Sequence, residues 1–359
     1  VMKKLGVSSI NTYSIGFEHD VIGNELKSAK KVSDYFGTKH HEYMIKPDIV
    51  KELKNIVWHL DEPLADPAVV PVYYLSKKAS KSVTVVLTGD GGDELFAGYD
   101  QYKFLTYGDK MSFLPRRVRK KLIPYVVRNV PNGLMNKIYK YSSSTGSKIF
   151  DRFEKFISNV DENKAKSYLE VVSVFDGSER KEVLNSDYFV SKKYSSINKY
   201  FTNGDYLNNL TYMDLKTYLP EDLLMKPDKM CMAFGIESRV PFLDHRLVEY
   251  AFKIPSSYKL RRGISKYIMK KSFKRLLPKE IIHRKKQPFQ VPLDEWISKE
   301  LKDYLKELIS NSEHNYFNKK QVKKIFDNYN SSRLYYGRQL WSLGIFNLWY
   351  KIYVNGEKV

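Results

Sequence analysis

The apolar residues of the first hundred positions fall into short strand-like segments and longer helix-like segments. The strand-like segments, rich in strand formers or alternating between apolar and polar residues, are 12–17, 39–45 and 82–89. The helix-like segments, with apolar residues at helical spacing, are 25–37, 47–60 and 71–80. This order predicts an α/β fold with a mostly parallel sheet flanked by helices, in which 82–89 is a buried strand.

Two predicted loops lie where a parallel sheet would bind a ligand. Such sheets bind ligands beyond the carboxyl ends of their strands. One of these loops follows Phe17 and the other follows Leu87. We therefore expect the chemistry of the chain at these two loops.

The pattern changes near residue 101, and helical spacing dominates from there. No strand alternation is convincing up to about residue 205, and 207–258 is helix-like with interruptions at prolines. The segments 265–277 and 293–309 are amphipathic, and 334–353 is rich in aromatic residues. The second part of the chain is therefore expected to be largely helical.

The first residues have the features of a helix end. In "VMKKLG", Leu5 is the last apolar position, and Gly6 suits a left-handed cap. Lys3 and Lys4 suit the negative end of a helix. Because no helix precedes this tail and Val1 is not an initiator methionine, we expect that sequence is missing upstream.

Composition limits the class of protein. The 359 residues, 42% of them hydrophobic, can form one large or two modest domains. The single cysteine, Cys231, excludes an internal disulfide framework and a multi-cysteine zinc site, and we interpret it as a core residue. A reducing, cytoplasmic location fits this composition. No apolar run approaches the roughly 20 residues that span a bilayer, and the N-terminus lacks signal-peptide features.

The net charge of +20 has two interpretations. It suggests an anionic partner such as a nucleotide, a nucleic acid or a membrane surface. The lysines are scattered along the chain, however, so a general compositional bias explains the charge equally simply. The densest basic clusters are 116–121 and 283–286.

The segment "LTGDGGDELFAGY", residues 87–99, carries the strongest chemical signal. Asp90, Asp93 and Glu94 lie among three glycines directly after a predicted strand. Asp90 as a helix N-cap is one interpretation, with Asp93 in the first helical turn. A cap needs only one acid, so three acids require another explanation. The N-terminus of a helix that follows a parallel strand is a common phosphate-binding site. Mg²⁺ held by Asp93 would reconcile these acids with a polyphosphate ligand.

Three other features each leave a structural and a functional interpretation open. The acidic, proline-rich loop 59–71 is either a capped connection between helices or a stiff wall of a ligand site. Lys266, at the start of a predicted helix, is either a surface lysine or a cation for an anionic ligand. Arg239 either pairs with Glu237 or Asp244, or it contacts a ligand.

Several segments, in this order, resemble the synthetase domain of the glutamine-dependent asparagine synthetase family. They are "TYSIGF", "GTKHHEY", "DEPLADPAVVPVYYLS", "LTGDGGDELFAGYDQY", "LPEDLLMKPDKMCMAFGIESRVPFLDH" and "RKKQPFQVPLDEW". Each segment is weak evidence alone, but their common order over most of the chain is specific. The stretch from about 101 to 200 carries little of the resemblance.

The resemblance implies an ATP-pyrophosphatase fold of the adenine-nucleotide hydrolase-like type. It divides the chain into an α/β nucleotide-binding core (1–100), a helical insertion (101–205) and a helical portion completing the synthetase domain (206–359). It also implies a reaction in which a carboxylate, aspartate in the namesake, attacks the α-phosphate of ATP and expels pyrophosphate. Ammonia derived from glutamine then converts the acyl-adenylate to an amide and AMP.

The resemblance further implies roles for individual residues. Asp93 would bind Mg²⁺ on the pyrophosphate, and Lys266 would stabilise charge on the transferred phosphate. Asp90 would handle protons during amide formation. Ile15 and Gly16 would contact adenine.

Four more residues match the family's motifs. Gly91 and Gly92 would let the backbone approach the substrate, while Lys229 and Arg239 would support either phosphates or the fold. The implied ligands are ATP, Mg²⁺, aspartate or another carboxylate, and ammonia from a glutaminase domain. A homodimer is one possible assembly, and neither a membrane nor a nucleic acid is an expected partner.

The sequence also departs from the family. The pyrophosphate loop "SGG-x-D-S" and the glutaminase domain with its N-terminal cysteine are absent, so this chain alone is expected to be inactive. Asn24 stands where an acid is expected, and Pro288 and Gln290 stand where glycine is more usual. Two alternatives remain open. One is another acceptor carboxylate, such as a uronic acid or an amino-acid-derived precursor; the other is a basic nucleic-acid-binding module with a vestigial ATP site.

Overall fold

The computed structural model describes residues 1–17, 25–115, 117–119, 125, 156, 163–190, 195–201, 204–284 and 291–359. Predictions for Asn24, Pro288 and Gln290, and for half of the residues of the two basic clusters, lie outside these described residues.

Four short strands form two separate parallel pairs in the described part of the chain. The strands are β1 (Asn11–Phe17), β2 (Lys39–Ile45), β3 (Val85–Leu87) and β4 (Glu237–Arg239). β1 pairs with β2, with Ile15 opposite Tyr43, and β3 pairs with β4, with Leu87 opposite Arg239. Parallel neighbours need a crossover connection, which a helix supplies between β1 and β2. An α/β arrangement with parallel strands is therefore confirmed.

Helices make up most of the rest of the described chain. The α-helices are α1 (Glu25–Phe36), α2 (Ile49–Leu60), α3 (Val69–Ala79), α4 (Gly92–Phe96), α5 (Asp100–Lys110), α6 (Lys164–Val172), α7 (Gly177–Val183), α8 (Ser195–Asn198), α9 (Tyr206–Lys216), α10 (Met225–Met232), α11 (His245–Lys253), α12 (Ser256–Lys259), α13 (Tyr267–Phe273), α14 (Lys279–His283), α15 (Leu293–Trp296), α16 (Lys302–Ser310), α17 (Lys319–Asn328) and α18 (Arg333–Tyr353). The segments Leu219–Leu223 and Ile297–Leu301 are π-helical, and Met2–Leu5 is a 3₁₀ turn that Gly6 ends in a left-handed conformation. Among the described residues, no helix has the length and apolar character needed to cross a membrane.

Local sequence signals set the boundaries of the first elements. Gly37, with φ of 60°, follows α1, and its left-handed conformation favours glycine there. The Asp48 side chain accepts a hydrogen bond from the Lys51 N–H and caps α2, which begins at Ile49, two residues after the start that the sequence predicts at Pro47.

Two expectations about strands are wrong. The segment 82–89 is a strand only at β3, where Val85 and Leu87 are 41% and 53% exposed, not buried. Val86 packs beside Cys231 and Ile236, so the described residues cover only one face of β3. The helix-like segment 207–258 also contains β4, whose three polar residues form a strand because they pair with β3.

The main hydrophobic core joins early and late parts of the chain. It packs α2 and α3 against α15, α16 and α18, with Leu53, Leu60 and Trp341 fully buried. The aromatic-rich segment predicted near the C-terminus is helix α18, and its Trp349 indole N–H donates to the Asp61 carbonyl at 2.8 Å. The division of the chain at residues 100 and 205 stays a prediction.

A buried carboxylate holds a second core together. Tyr102 on α5 and Tyr168 on α6 donate hydrogen bonds to the two oxygens of Asp214 on α9, at 2.5 and 2.6 Å. All three side chains are buried. Burial raises the pKa of Asp214 to about 7, although both tyrosine hydrogen bonds favour the charged form.

This shift predicts a pH dependence of stability. Because the pKa of Asp214 is higher in the folded protein than its ordinary value of 3.8, the folded state binds the proton more tightly. The contribution of Asp214 to the free energy of unfolding should therefore be greatest at acidic pH and fall as pH rises through about 7. Between pH 5.5 and 8 the loss should be about 2 kcal/mol. Denaturant unfolding of wild type and Asp214→Asn at both pH values measures it, since the variant cannot ionise there. Equal pH dependence in the two proteins would contradict this assignment.

Candidate active site

A cavity of about 880 Å³ lies between β1, α1, α3 and the loop after β3. Its apolar wall includes the four α1 positions that helical spacing places on one side, namely Leu26, Ala29, Val32 and Phe36. Thr12 to Ile15 of β1 and Gly89 and Asp90 of the loop after β3 also line it, so the cavity runs along β1 and reaches the carboxyl end of β3, where a parallel strand is expected to meet a ligand. The volume is in the range of small-molecule and cofactor sites.

The glycine-rich turn after β3 brings its acids to this region without using them as caps. Gly91 precedes α4 with φ of 83°, and a Cβ there would overlap the Leu243 side chain. No side chain caps α4, so the interpretation of Asp90 as its N-cap is wrong. Asp90 lines the cavity instead. The acids of this turn therefore need an explanation other than capping.

Asp93, on the same turn as Asp90, forms an ion pair with Lys266, and neither residue of the pair is among the described residues that line the cavity. The Lys266 Nζ lies 3.1 Å from Asp93 Oδ1, and about a quarter of each side chain is exposed. The Lys266 N–H donates to the Phe96 carbonyl at 3.1 Å, and its φ of 53° places it in the left-handed region. The end of α4 thus fixes the backbone of Lys266 and directs its ammonium to the acidic turn. The sequence predicted that Lys266 begins a helix, and it directly precedes α13.

Gly98 is a site residue that the sequence interpretation missed. Its N–H donates to the Asp93 carbonyl at 2.8 Å, and a Cβ at this position would overlap both the Asp93 carboxylate and the Lys266 side chain. The chain therefore needs glycine here to keep the ion pair in place. The only sequence signal was a glycine directly after the acidic turn.

Gly98→Ala should separate activity from stability. The added methyl group displaces the ends of two flexible side chains rather than backbone, so the free energy of unfolding should change by less than about 1 kcal/mol. The pyrophosphate release that the resemblance implies for the full-length protein should fall at least about tenfold, because Asp93 and Lys266 lose their arrangement. Gly337→Ala in α18, where a Cβ would lie 3.3 Å from Ile297, is a control for the same substitution in a tight site. Retained activity in Gly98→Ala would contradict this role.

The buried carboxylate of Glu94 is hydrogen-bonded to Tyr99, a residue to which the sequence assigned no role. Glu94 is 1% exposed and accepts a hydrogen bond from the Tyr99 hydroxyl at 2.5 Å. Burial raises the pKa of Glu94, and the Tyr99 hydrogen bond only partly opposes this. The Tyr99 ring lies 5.5 Å from that of Tyr102, which donates to Asp214. This contact links the acidic turn to the second core.

The glycines predicted for the site differ in how closely other side chains pack against them. Gly16 packs against Leu26 and Met44, where a Cβ would lie 2.5 Å from the Leu26 side chain. Gly92 has ordinary space, since the nearest atoms to a Cβ there would be those of the Phe242 ring at 3.6 Å. The roles of Gly16, Gly91 and Gly92 towards a ligand stay predictions.

Lys229 and Arg239 are both in ion pairs. Lys229 lies 2.7 Å from Asp61, and Arg239 lies 2.7 Å from Glu237, one of its two predicted partners. Neither residue is among the described residues that line the cavity. These contacts support the structural interpretation of both cations.

The acidic loop 59–71 also has a structural role. Asp61 ends α2 in a left-handed conformation, and Asp66 accepts a hydrogen bond from the Ala68 N–H at 2.9 Å. Asp66 further pairs with the buried Lys226 on α10, which lies 3.1 Å from Asp222. The loop is therefore tied to α10 by two ion pairs, those of Lys226 and Lys229.

Asp93 is the residue that would hold Mg²⁺ in a magnesium–phosphate complex, and this role stays a prediction. Within the described ranges, no three His, Cys, Asp or Glu side chains cluster closely enough to hold a metal. Mg²⁺ typically takes one or two carboxylates together with water and substrate phosphates. Asp93 would supply one such carboxylate, and in this structure it faces the Lys266 ammonium.

A ligand-sized cavity that reaches the carboxyl end of a parallel strand is typical of ligand-binding sites in α/β proteins. A family model described as asparagine synthase matches residues 1–351. The chain therefore belongs to the asparagine synthase family, which confirms the resemblance inferred from the sequence motifs.

Individual relatives support the same family. Asparagine synthetase (glutamine-hydrolyzing) 1 of Bacillus subtilis is 32% identical over 351 residues, which cover 96% of this chain and 52% of that protein. Asparagine synthetase (glutamine-hydrolyzing) 3 of the same organism is 26% identical over 92% of the chain and 48% of that protein. A protein named amidase chyE from Penicillium rubens is 24% identical over 84% of the chain and 46% of that protein. The chain spans about half the length of the curated relatives it matches.

Proposed function

We propose that the full-length protein is a ligase that forms an amide from a carboxylate and ammonia with ATP, through an acyl-adenylate. The observation that carries this proposal is the Asp93–Lys266 pair on a turn whose Asp90 lines a ligand-sized cavity. Family membership supports the reaction class and favours it over the nucleic-acid-binding alternative. We further propose an ATP-pyrophosphatase fold, with the core, insertion and completing portions expected from the sequence.

The proposed nucleotide site lies between β1 and the loop after β3. Ile15 on β1 would contact adenine, and the turn after β3 would contact the phosphates. Asp93 would hold Mg²⁺, which supplies positive charge to the departing pyrophosphate. Lys266 would neutralise charge that develops on the transferred α-phosphate. Preorganised cations of this kind lower the barrier of a step that expels a highly charged group.

The proposed chemistry consists of two displacements. A substrate carboxylate oxygen forms a bond to the α-phosphorus of ATP, and the bond from that phosphorus to pyrophosphate breaks. The nitrogen of ammonia then attacks the acyl carbon, and AMP leaves with the bridging oxygen. The nitrogen loses a proton as the amide forms, and Asp90, which lines the cavity, would accept it. Most of the catalytic effect would come from holding three reactants together.

Aspartate is the first proposed acceptor, with ammonia supplied from glutamine. The names of the bacterial relatives support aspartate. A second candidate is another carboxylate, because more distant relatives over most of this chain are named amidases. Both candidates use the same cavity and ion pair.

A carboxylate panel tests the proposal. The full-length protein is incubated with ATP, Mg²⁺, glutamine and each carboxylate, and AMP, pyrophosphate and amide are quantified. Equal amounts of AMP, pyrophosphate and asparagine with aspartate support the first candidate. Amide formation with a different carboxylate supports the second. ADP and inorganic phosphate as products, or no nucleotide turnover with any carboxylate, would contradict the reaction class.

A further inference from the structure

An ion pair at the cavity joins two distant parts of the chain. Arg284, which follows α14, lies 2.8 Å from Glu25 at the start of α1 through its Nη2. Both residues line the cavity, and each side chain is a little over one third exposed. The pair therefore borders the space in which the proposed nucleotide would bind.

The charges that line the cavity are few. Among the described lining residues, the carboxylates are Glu25 and Asp90, and the permanent cations are Lys3 and Arg284. The Lys3 ammonium donates to the Ser8 carbonyl at 3.3 Å. A polyphosphate in this cavity would meet two carboxylates that repel it, so its binding depends on the cations that the lining can present.

Arg284 is suited to exchange partners. A solvent-exposed ion pair contributes little to stability, so separating Arg284 from Glu25 costs little. The guanidinium presents five N–H donors in a planar fork that matches phosphate oxygens. Its contact with Glu25 uses one nitrogen and one oxygen, and the described structure therefore leaves further guanidinium donors available to a phosphate.

We propose that Arg284 is a phosphate-binding residue for the nucleotide and that Glu25 holds it when the cavity contains no nucleotide. This inference rests on the proposed function, because it takes ATP as the ligand. On binding, Arg284 moves from the Glu25 carboxylate to a phosphate oxygen. Glu25 thus competes with the nucleotide for the same guanidinium and weakens phosphate binding.

Binding of three ligands that carry no, one and three phosphates to the full-length protein tests this inference. Dissociation constants for adenosine, AMP and ATP are measured by titration calorimetry, with Mg²⁺ present. Arg284→Gln should weaken ATP binding about tenfold and leave adenosine binding unchanged, since charge-assisted hydrogen bonds act only on the phosphates. Glu25→Gln should strengthen ATP binding several-fold because it removes the competitor and a repulsive charge.

Lys31→Gln is the matched control. Lys31 pairs with Glu280 at 2.7 Å, so this second ion pair joins α1 to α14 but does not line the cavity in the described structure. It should leave all three dissociation constants unchanged. Equal weakening of adenosine and ATP by Arg284→Gln, or weakening of ATP by Lys31→Gln to the same extent, would show that the pair only joins the two helices.

The two proposals fail in distinguishable ways. Unchanged ATP binding in Arg284→Gln, with wild-type protein that binds ATP, overturns the role of Arg284 alone. Wild-type protein that binds neither adenosine nor ATP contradicts the proposed function, and the role of Arg284 falls with it.

Discussion

Asp93→Asn in the full-length protein is expected to reduce pyrophosphate release at least about a hundredfold. The substitution keeps the size of the side chain but removes the charge that would hold Mg²⁺ and that now faces Lys266. The free energy of unfolding should change by less than about 1 kcal/mol, because the pair is partly exposed and such pairs contribute little. Release of pyrophosphate is measured with a coupled assay at saturating ATP.

Asp100→Asn is the matched control for this change. Asp100 lies 2.8 Å from Lys103 on α5, so the control removes one carboxylate from a lysine ion pair close in sequence to Asp93. It should retain near-normal pyrophosphate release. If Asp93→Asn also retains activity, Asp93 does not hold the metal, whatever the stability of the variant.

Lys226→Met is expected to cause a large loss of stability, about 3 kcal/mol. Lys226 is 7% exposed and lies between Asp66 and Asp222. Burial works against its charge, but the two carboxylates prevail and raise the pKa of Lys226. Without the ammonium, two neighbouring carboxylates remain partly buried with no cation between them. Denaturant unfolding of the protein at pH 8 measures the loss.

Two comparisons make this prediction specific. Lys229→Met, on the same helix, breaks the more exposed pair with Asp61 and should cost less than about 1 kcal/mol. Burial and Asp66 already raise the pKa of Asp222 to about 6 despite Lys226. Loss of Lys226 should raise it further, so protonation should relieve part of the repulsion. The destabilisation by Lys226→Met should therefore be smaller at pH 5 than at pH 8. Equal losses for both lysine variants would contradict the buried-triad interpretation.

Local patterns predicted the elements that depend on local interactions. β1, α1 and β2 follow from alternation, helical spacing and the glycine at position 37, because these signals act within a few residues. β4 was not predictable in this way. Its residues are Glu237, Ser238 and Arg239, and only their pairing with β3 makes them a strand. The exposure of Val85 and Leu87 likewise depends on what packs against β3 and not on their own apolar character.

The candidate site shows the same limit. The three acids at positions 90, 93 and 94 were noticeable because they lie so close together in the sequence. Their positions in the sequence could not show that their surroundings differ in the folded protein. Asp90 lines the cavity, Asp93 faces a lysine, and Glu94 is buried beside Tyr99. The contact of Asp93 with Lys266 joins residues far apart in sequence, so only the resemblance to a family suggested that they act together. Gly98 was only one more glycine in the acidic segment, and Arg284 was only part of a basic cluster and a family motif, because their importance depends on what they approach in the folded chain.

The most direct test of the central claim follows oxygen from the carboxylate to the nucleotide. Full-length protein is given ATP, Mg²⁺, glutamine and aspartate labelled with ¹⁸O in its side-chain carboxylate, and the products are analysed by mass spectrometry. Attack on the α-phosphate predicts one ¹⁸O atom in AMP and none in pyrophosphate. The label in inorganic phosphate, or its absence from AMP while asparagine forms, would contradict the acyl-adenylate.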